Sequence, residues 1–309
     1  MRLAALLGRW RDRESRDIAL ALALLLAALV TPVVELPGTA HDTVIVFDIS
    51  QSMGVEDQQI DGAKVDRLAY ARAAARVALR ELPCGSHIGW GVFAEYRSLL
   101  LLTPIEVCAH YNDLLATLDA IDGRMRWGNA SEVTKGVFWA LRVAGQAGGH
   151  PNLVFLTDGQ EAPPLRDADM PLFDDLRPGA VQGWIVGVGG DEPKPIPKTD
   201  AEGKRIGWWR ADDVVQPQSG RGALRQEHLS SLHEPHLQAL ARRLGLHYAR
   251  LGSPQVLADA LRDPRLAQHR PVPTRLAWLP ALAALALLAW RFRPRAHRHP
   301  HPRTQGGTT

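Results

Sequence analysis

An aspartate and two serines alternate in the run Asp48-Ile49-Ser50-Gln51-Ser52. Alternate residues of a curved, extended loop can turn toward one point, so three oxygen-bearing side chains can meet there. A second aspartate, Asp158, lies in the run LTDGQ. A third segment, GNASEV, adds Ser131, with Thr134 and Asn129 as its rivals. Carboxylates and hydroxyls are hard ligands. A cation such as Mg²⁺ takes an octahedral oxygen shell at roughly 2.0–2.1 Å and usually keeps some water. The predicted metal ligands are Asp48, Ser50, Ser52, Ser131 and Asp158. Few of them are charged, which suits Mg²⁺ better than Ca²⁺. The competing reading makes the serines helix or turn caps. It accounts for one serine and leaves the rest of the set unexplained.

These residues need a scaffold that brings three loops to one crevice. TVIVF (43–47) is an unbroken apolar run ending at Asp48, and NLVFLT (152–157) is another ending at Asp158. Such runs are central strands of a parallel sheet, buried on both faces. HIGWGVFA (87–94), YRSLLLLT (96–103), VQGWIVGVG (181–189) and residues 246–251 are further strands. Only Glu95 separates the second strand from the third, which predicts a tight antiparallel pair at the sheet edge. Leu68, Ala71, Ala75, Leu79 and Leu82 recur at spacings of three and four, the mark of one helical face over 64–82. Residues 111–121, 132–144 and 234–244 are predicted helices, and PQVLADAL closes the fold. The alternation predicts one α/β domain over residues 41–262, a doubly wound, mostly parallel sheet with one antiparallel edge strand. Ligands of such sheets bind outside the carboxyl ends of the strands, where Asp48 and Asp158 fall. Residues 190–227 form an irregular excursion with four prolines and the pair Trp208–Trp209. A segment of that length without regular structure is unusual unless functional. It either contacts a partner or packs its tryptophans onto the domain.

The chain has 309 residues and a net charge of +3. Its basic character belongs to the ends. Residues 1–17 hold five arginines and three acids, and residues 275–309 hold six arginines and no acid. The middle keeps 25 of the 36 basic and 30 of the 33 acidic residues, so nucleic acid is not an expected partner. Two uncharged stretches, 18–34 and 276–290, adjoin these arginine clusters. The first meets the lower length limit of a membrane span and the second is short, with Arg275 and Arg291 able to snorkel. Arginine on their terminal sides predicts both termini in the cytoplasm and the middle outside it. The predicted order is a cytoplasmic segment 1–17, spans at 18–34 and 276–290, and a cytoplasmic basic tail 291–309. A signal-peptide core for the first stretch and a buried helix for the second are the alternatives.

The two cysteines, Cys84 and Cys108, both fall in the middle. An even pair in an oxidising compartment is a disulfide candidate. The helix after the first strand runs away from the metal end and delivers Cys84 to the opposite end. The antiparallel edge strand returns there with Cys108. No GxSxG, HExxH, Walker loop or GxGxxG after the first strand is present. His41, His87, His110 and His150 are scattered at element ends, and His228, His233 and His236 lack companion ligands for zinc. A binding module is therefore expected rather than an enzyme.

With DxSxS at Asp48, Ser50 and Ser52, a loop hydroxyl at Ser131 and an aspartate at Asp158, the chain resembles von Willebrand factor type A (vWA) domains carrying a metal-ion-dependent adhesion site. The resemblance covers residues 41–262. Ser131 departs from the family's threonine but keeps the hydroxyl. The resemblance implies a vWA/Rossmann-like fold and Mg²⁺ or another divalent cation held directly or through water. It also implies an open coordination position for the Glu or Asp of a protein partner. Bacterial membrane-anchored members are the most similar. DTVIVFDISQSM, ELPCGS, VFAEYRSLLLLTPIEVC and FLTDGQEAPP resemble the MxaL family, encoded with periplasmic methanol dehydrogenase and implicated in its maturation at calcium insertion. Pro195–Pro197 and Gly203 resemble the excursion of the Bat aerotolerance proteins. Either implies a bacterial inner-membrane protein with its vWA domain in the periplasm.

Overall fold

A computed structural model describes residues 13–165, 177–216 and 226–293. Residues 1–12 of the predicted segment 1–17, residues 294–309 of the predicted tail 291–309, and residues 217–225 of the predicted excursion lie outside the described residues. The chain divides into two units, residues 37–272 and a second made of residues 1–36 with 273–309.

In the larger unit, strand β2 (Asp42–Asp48) is buried along its whole length, as expected of a β-branched run flanked on both edges. It pairs in parallel with β5 (His87–Ala94) and β7 (Asn152–Thr157). The parallel sheet continues through β8 (Gly183–Gly187) to β13 (His247–Arg250). At the other end β6 (Arg97–Glu106) pairs antiparallel with β5, giving the order β13-β8-β7-β2-β5-β6. The edge strand runs three residues past its predicted end, through Pro104, which is tolerated where no outer strand needs its N–H.

Helices α2 (Arg67–Glu81), α3 (Tyr111–Ala120) and α6 (Pro254–Leu261) cover one face through a core that includes Phe47, Trp90, Leu114 and Leu257. Helices α4 (Val133–Gln146) and α5 (Glu234–Leu244) cover the other through Val46, Phe93, Phe155 and Leu237. Helices on both faces make the sheet doubly wound, as the alternation predicted. Close approach of α4 needs Gly136, where a Cβ would lie 2.2 Å from the Phe93 ring.

Small antiparallel pairs complete this unit. One is a hairpin of β3 (Gln58–Ile60) with β4 (Ala63–Val65). The excursion predicted as irregular is partly ordered. Strand β9 (Lys194–Pro195) pairs with β12 (Leu229–Ser230), and β10 (Pro197–Thr199) with β11 (Arg205–Trp208). Its prolines hid these strands from a pattern search. Apart from these, a two-stranded ribbon pairs β1 (Val33–Ala40) with β14 (Gln268–Arg275), strands with residues in both units; it is also unforeseen because prolines interrupt both. Gly38 permits that pairing, since a Cβ there would come within 2.4 Å of Val272.

The smaller unit holds helices α1 (Arg13–Val30) and α7 (Trp278–Arg291). They pack against each other and bury Ala21 and Ala284, with Asp17 and Arg291 3.6 Å apart. Leu22, Leu29, Leu285 and Trp290 are exposed. The two predicted spans require correction. Among the described residues, no helix is long and apolar enough to cross a membrane. Helix α1 ends at Val30, and Val33 and Val34 belong to β1. Its uncharged part, residues 18–30, extends about 20 Å, and α7 about 21 Å, against a hydrocarbon core of about 30 Å.

Cys84 and Cys108 form a disulfide with a Cα separation of 5.3 Å. It lies at the end of β5 that begins with His87, opposite the end that reaches Phe93 beside Asp48. The predicted pairing and placement both hold. The bond closes a separation of 24 residues. Cys84→Ser should therefore lower stability by about 3 kcal/mol, measured as a lower denaturation midpoint. Free, alkylatable thiols at both positions of the parent would contradict this.

Candidate metal centre

At the carboxyl end of β2 the chain stops pairing as a strand and turns into a short 3-10 helix, Gln51–Gly54. Asp48 directs that turn. Its Oδ1 accepts from the Ser50 backbone N–H at 2.8 Å, and its Oδ2 accepts from Thr157 Oγ1 at 2.6 Å. The hydroxyls of Ser50 and Ser52 lie 3.1 Å apart, both buried. Ser131 is fixed by its backbone, which exchanges hydrogen bonds of 2.8 and 2.7 Å with Ala162. Its buried Oγ has no hydrogen-bond partner among the described residues. Such a hydroxyl costs about 1–3 kcal/mol when left unsatisfied, so a missing group at this point is a physical expectation.

Asp158 is engaged on both oxygens. Oδ1 accepts from Gln160 N at 2.9 Å, and Oδ2 accepts from Arg67 Nη1 at 2.6 Å and Ser230 Oγ at 3.0 Å. The tight turn after it requires Gly159, whose φ is +78°. Arg67 also forms a fork with Asp57, through Nη2 at 2.7 Å and Nε at 3.1 Å, and donates to Ser230 O. Its guanidinium has no exposed surface. A Cβ on Gly189 would sit 3.0 Å from its Nε, so this glycine leaves room for the ion pair. Burial and then the charge of Asp158 push the Asp48 carboxyl up to about 7.

Arg67 and Thr157 were absent from the predicted set. A signal for Arg67 exists in the sequence. Positions 67, 71, 74 and 78 are spaced four, three and four, and all are buried. An arginine on such a stripe has to find an acidic partner inside.

Ser50, Ser52 and Ser131 line one cleft of about 250 Å³, with Ala162, Trp209 and Val215 among its walls. Asp48 and Asp158 stand behind it at the ends of adjacent strands. Of the two rivals to Ser131, Thr134 Oγ1 donates to Glu161 at 2.6 Å and is thereby engaged. Asn129 lines the cleft, but its Oδ1 accepts from Gln51 Nε2 at 2.8 Å. The donors are hard oxygens, and an unpaired buried hydroxyl is among them. This set fits a small divalent cation.

The excursion packs against the serine loop. Trp209 Nε1 donates to Gln51 Oε1 at 2.7 Å, and Lys198 Nζ lies 4.5 Å from the Trp209 ring centre. Arg126 ties Thr199 at 3.0 Å to the Ile49 carbonyl at 3.4 Å. Trp208, in contrast, is 49% exposed. One tryptophan therefore packs onto the domain and the other faces outward. His233 and His236 meet the loop after Asp158, with Nε2 atoms 3.0 Å from Gln160 Oε1 and 3.1 Å from Glu161 Oε1.

No family model matches the chain, and no curated protein matches it. Solved structures resemble it. An aerotolerance-related membrane protein from Bacteroides fragilis is similar at a TM-score of 0.49 and 18% identity, over 72% of this chain and 97% of that one. The ArnB paralog VWA2 from Sulfolobus acidocaldarius gives 0.39 and 14%, over 75% and 46%. A von Willebrand factor type A protein from Catenulispora acidiphila gives 0.40 and 16%, over 76% and 45%. The chain thus spans about half the length of the latter two. At these identities the likeness is one of fold alone.

Proposed function

We propose that this chain is a non-enzymatic vWA-type adhesion protein with a single divalent-cation site, attached to the bacterial inner membrane. The unpaired Ser131 hydroxyl, buried in the cleft that holds Ser50 and Ser52, carries this reading. The three hydroxyls would hold Mg²⁺, with Asp48 and Asp158 behind them to orient its waters and balance its charge. A carboxylate from a partner protein would take an open position. The exposed leucines and tryptophans of α1 and α7 support membrane attachment. The Cys84–Cys108 bond supports a periplasmic domain, since disulfides persist in oxidising compartments.

The longer sequence stretches favour an accessory or assembly role toward periplasmic methanol dehydrogenase, at its calcium insertion. The Pro195–Pro197 and Gly203 pattern, which runs from the end of β9 into the β10–β11 hairpin, favours a Bat-type aerotolerance role as the rival. One capture experiment tests these readings. The tagged chain, isolated from membranes in Mg²⁺, should bring down the dehydrogenase or its accessory proteins, and EDTA should release them. Capture unaffected by EDTA would defeat the adhesion role. Capture of other membrane-complex subunits in their place would favour the rival. Recovery of the chain in the soluble fraction would defeat membrane attachment.

A further inference from the structure

The hydroxyls of the cleft are neutral, and both aspartates behind it are already engaged by hydrogen bonds. A hard dication in a partly buried site binds weakly without an anionic ligand, because charge count sets affinity. The cleft walls hold two carboxylates, Asp213 and Glu227. Asp213 is paired, with Lys198 Nζ 3.8 Å away and the Arg210 backbone N–H donating at 3.3 Å. Glu227 differs. Among the described residues its carboxylate accepts from the neutral Gln160 amide at 3.1 Å, and no cationic side chain pairs with it. Gln160 is part of the same loop that holds Asp158, to which it donates its backbone N–H. Glu227 also lies three residues before Ser230, whose hydroxyl touches Asp158. The carboxylate is thus mounted on the wall of the cleft, held there by a neutral amide alone among the described residues. The unpaired, buried Ser131 Oγ in that cleft is independent evidence that a group belongs there.

We propose that Glu227 is a further, anionic ligand of the cation held by Ser50, Ser52 and Ser131, supplied by the chain itself. The proposal rests on the cation-site reading above. Glu227 then occupies a coordination position that a partner's carboxylate would otherwise take, and a partner binds by displacing it. Metal affinity and partner affinity are therefore opposed through one side chain.

Calorimetric titration of the full-length chain in detergent with Mg²⁺ tests this. Glu227→Gln keeps an acceptor for Gln160 and removes only the charge. It should weaken Mg²⁺ binding about tenfold, and added acetate should restore much of the loss. Asp213→Asn should bind as the parent does, and Asp48→Ala should not bind. Parental affinity in Glu227→Gln, with Asp48→Ala silent, overturns the role of Glu227 and leaves the cation site standing. A loss in Glu227→Gln that acetate does not relieve points to a structural effect and also overturns it. A loss in Asp213→Asn equal to that in Glu227→Gln reduces the effect to general charge and overturns it as well. Parental affinity in Asp48→Ala overturns the cation site and this proposal with it.

Discussion

Arg67→Met should destabilise the chain by about 3–5 kcal/mol, the cost of leaving buried charge uncompensated. One guanidinium here balances two carboxylates, Asp57 and Asp158, both almost fully removed from solvent. Methionine fills similar space but returns neither hydrogen bond nor charge. Typical domains are stable by only about 5–15 kcal/mol, so the loss is a large share of the whole. An exposed pair such as Arg76–Asp119 contributes at most about 1 kcal/mol. Adding Asp57→Asn and Asp158→Asn to Arg67→Met should recover part of the stability, because the charges left behind cause the damage. Urea denaturation midpoints measure all of these. A loss below about 1 kcal/mol in Arg67→Met would mean that the buried network is not the keystone its geometry describes.

Mg²⁺ should raise the melting temperature of the chain at pH 7.5 and do so far less at pH 5. The native Asp48 carboxyl is raised from 3.8 to about 7, by burial first and by Asp158 second. Between those values the native chain holds a proton that the unfolded chain has released. Without a cation, stability therefore falls as pH rises through that window, by on the order of 4 kcal/mol in all. A bound dication stabilises the ionised carboxylate and flattens the fall. Below pH 5 protons and cation compete for the same group, and the protons win. Asp48→Ala should lose both the pH slope and the Mg²⁺ response. Equal Mg²⁺ shifts at the two pH values, or an undiminished shift in Asp48→Ala, would contradict this account.

The central strands were legible because full burial leaves a simple trace. TVIVF and NLVFLT contain no polar interruption, and β5 and β7 match their predicted limits. The two ends of that logic are visible at β1 and β14. A two-stranded ribbon tolerates proline, since every strand in it is an edge, and so it carries no apolar run to detect. Asp48 and Ser50 could be placed at a strand end, because chain direction and sheet order decide which end of each strand is shared. Arg67 was hidden by its charge, which directs a pattern search toward the surface. Its partners are 10 and 91 residues away, a coincidence only the folded chain displays. The apolar terminal stretches read as spans from their lack of charge and their flanking arginines. The structure gives part of the first to a strand and leaves both helices too short to cross a bilayer.

The antiparallel edge gives the Cys84–Cys108 bond a second consequence. Strand β6 offers one unpaired row of backbone groups, and Leu99 and Leu101 on it are 46% and 41% exposed. An edge with exposed leucines is a template for strands of other chains, and the register irregularities of the β5–β6 pair and Pro104 blunt it only in part. Peeling of β6 from β5 would widen that template by freeing a second row. The Glu95–Tyr96 turn already ties the two strands at one end, and the disulfide ties the chain just beyond the far end of β6 to the segment that leads into β5, so the pair has no free end from which to separate. Crosslinking thus restrains self-association at the one sheet border where the polypeptide runs against the direction of its neighbours.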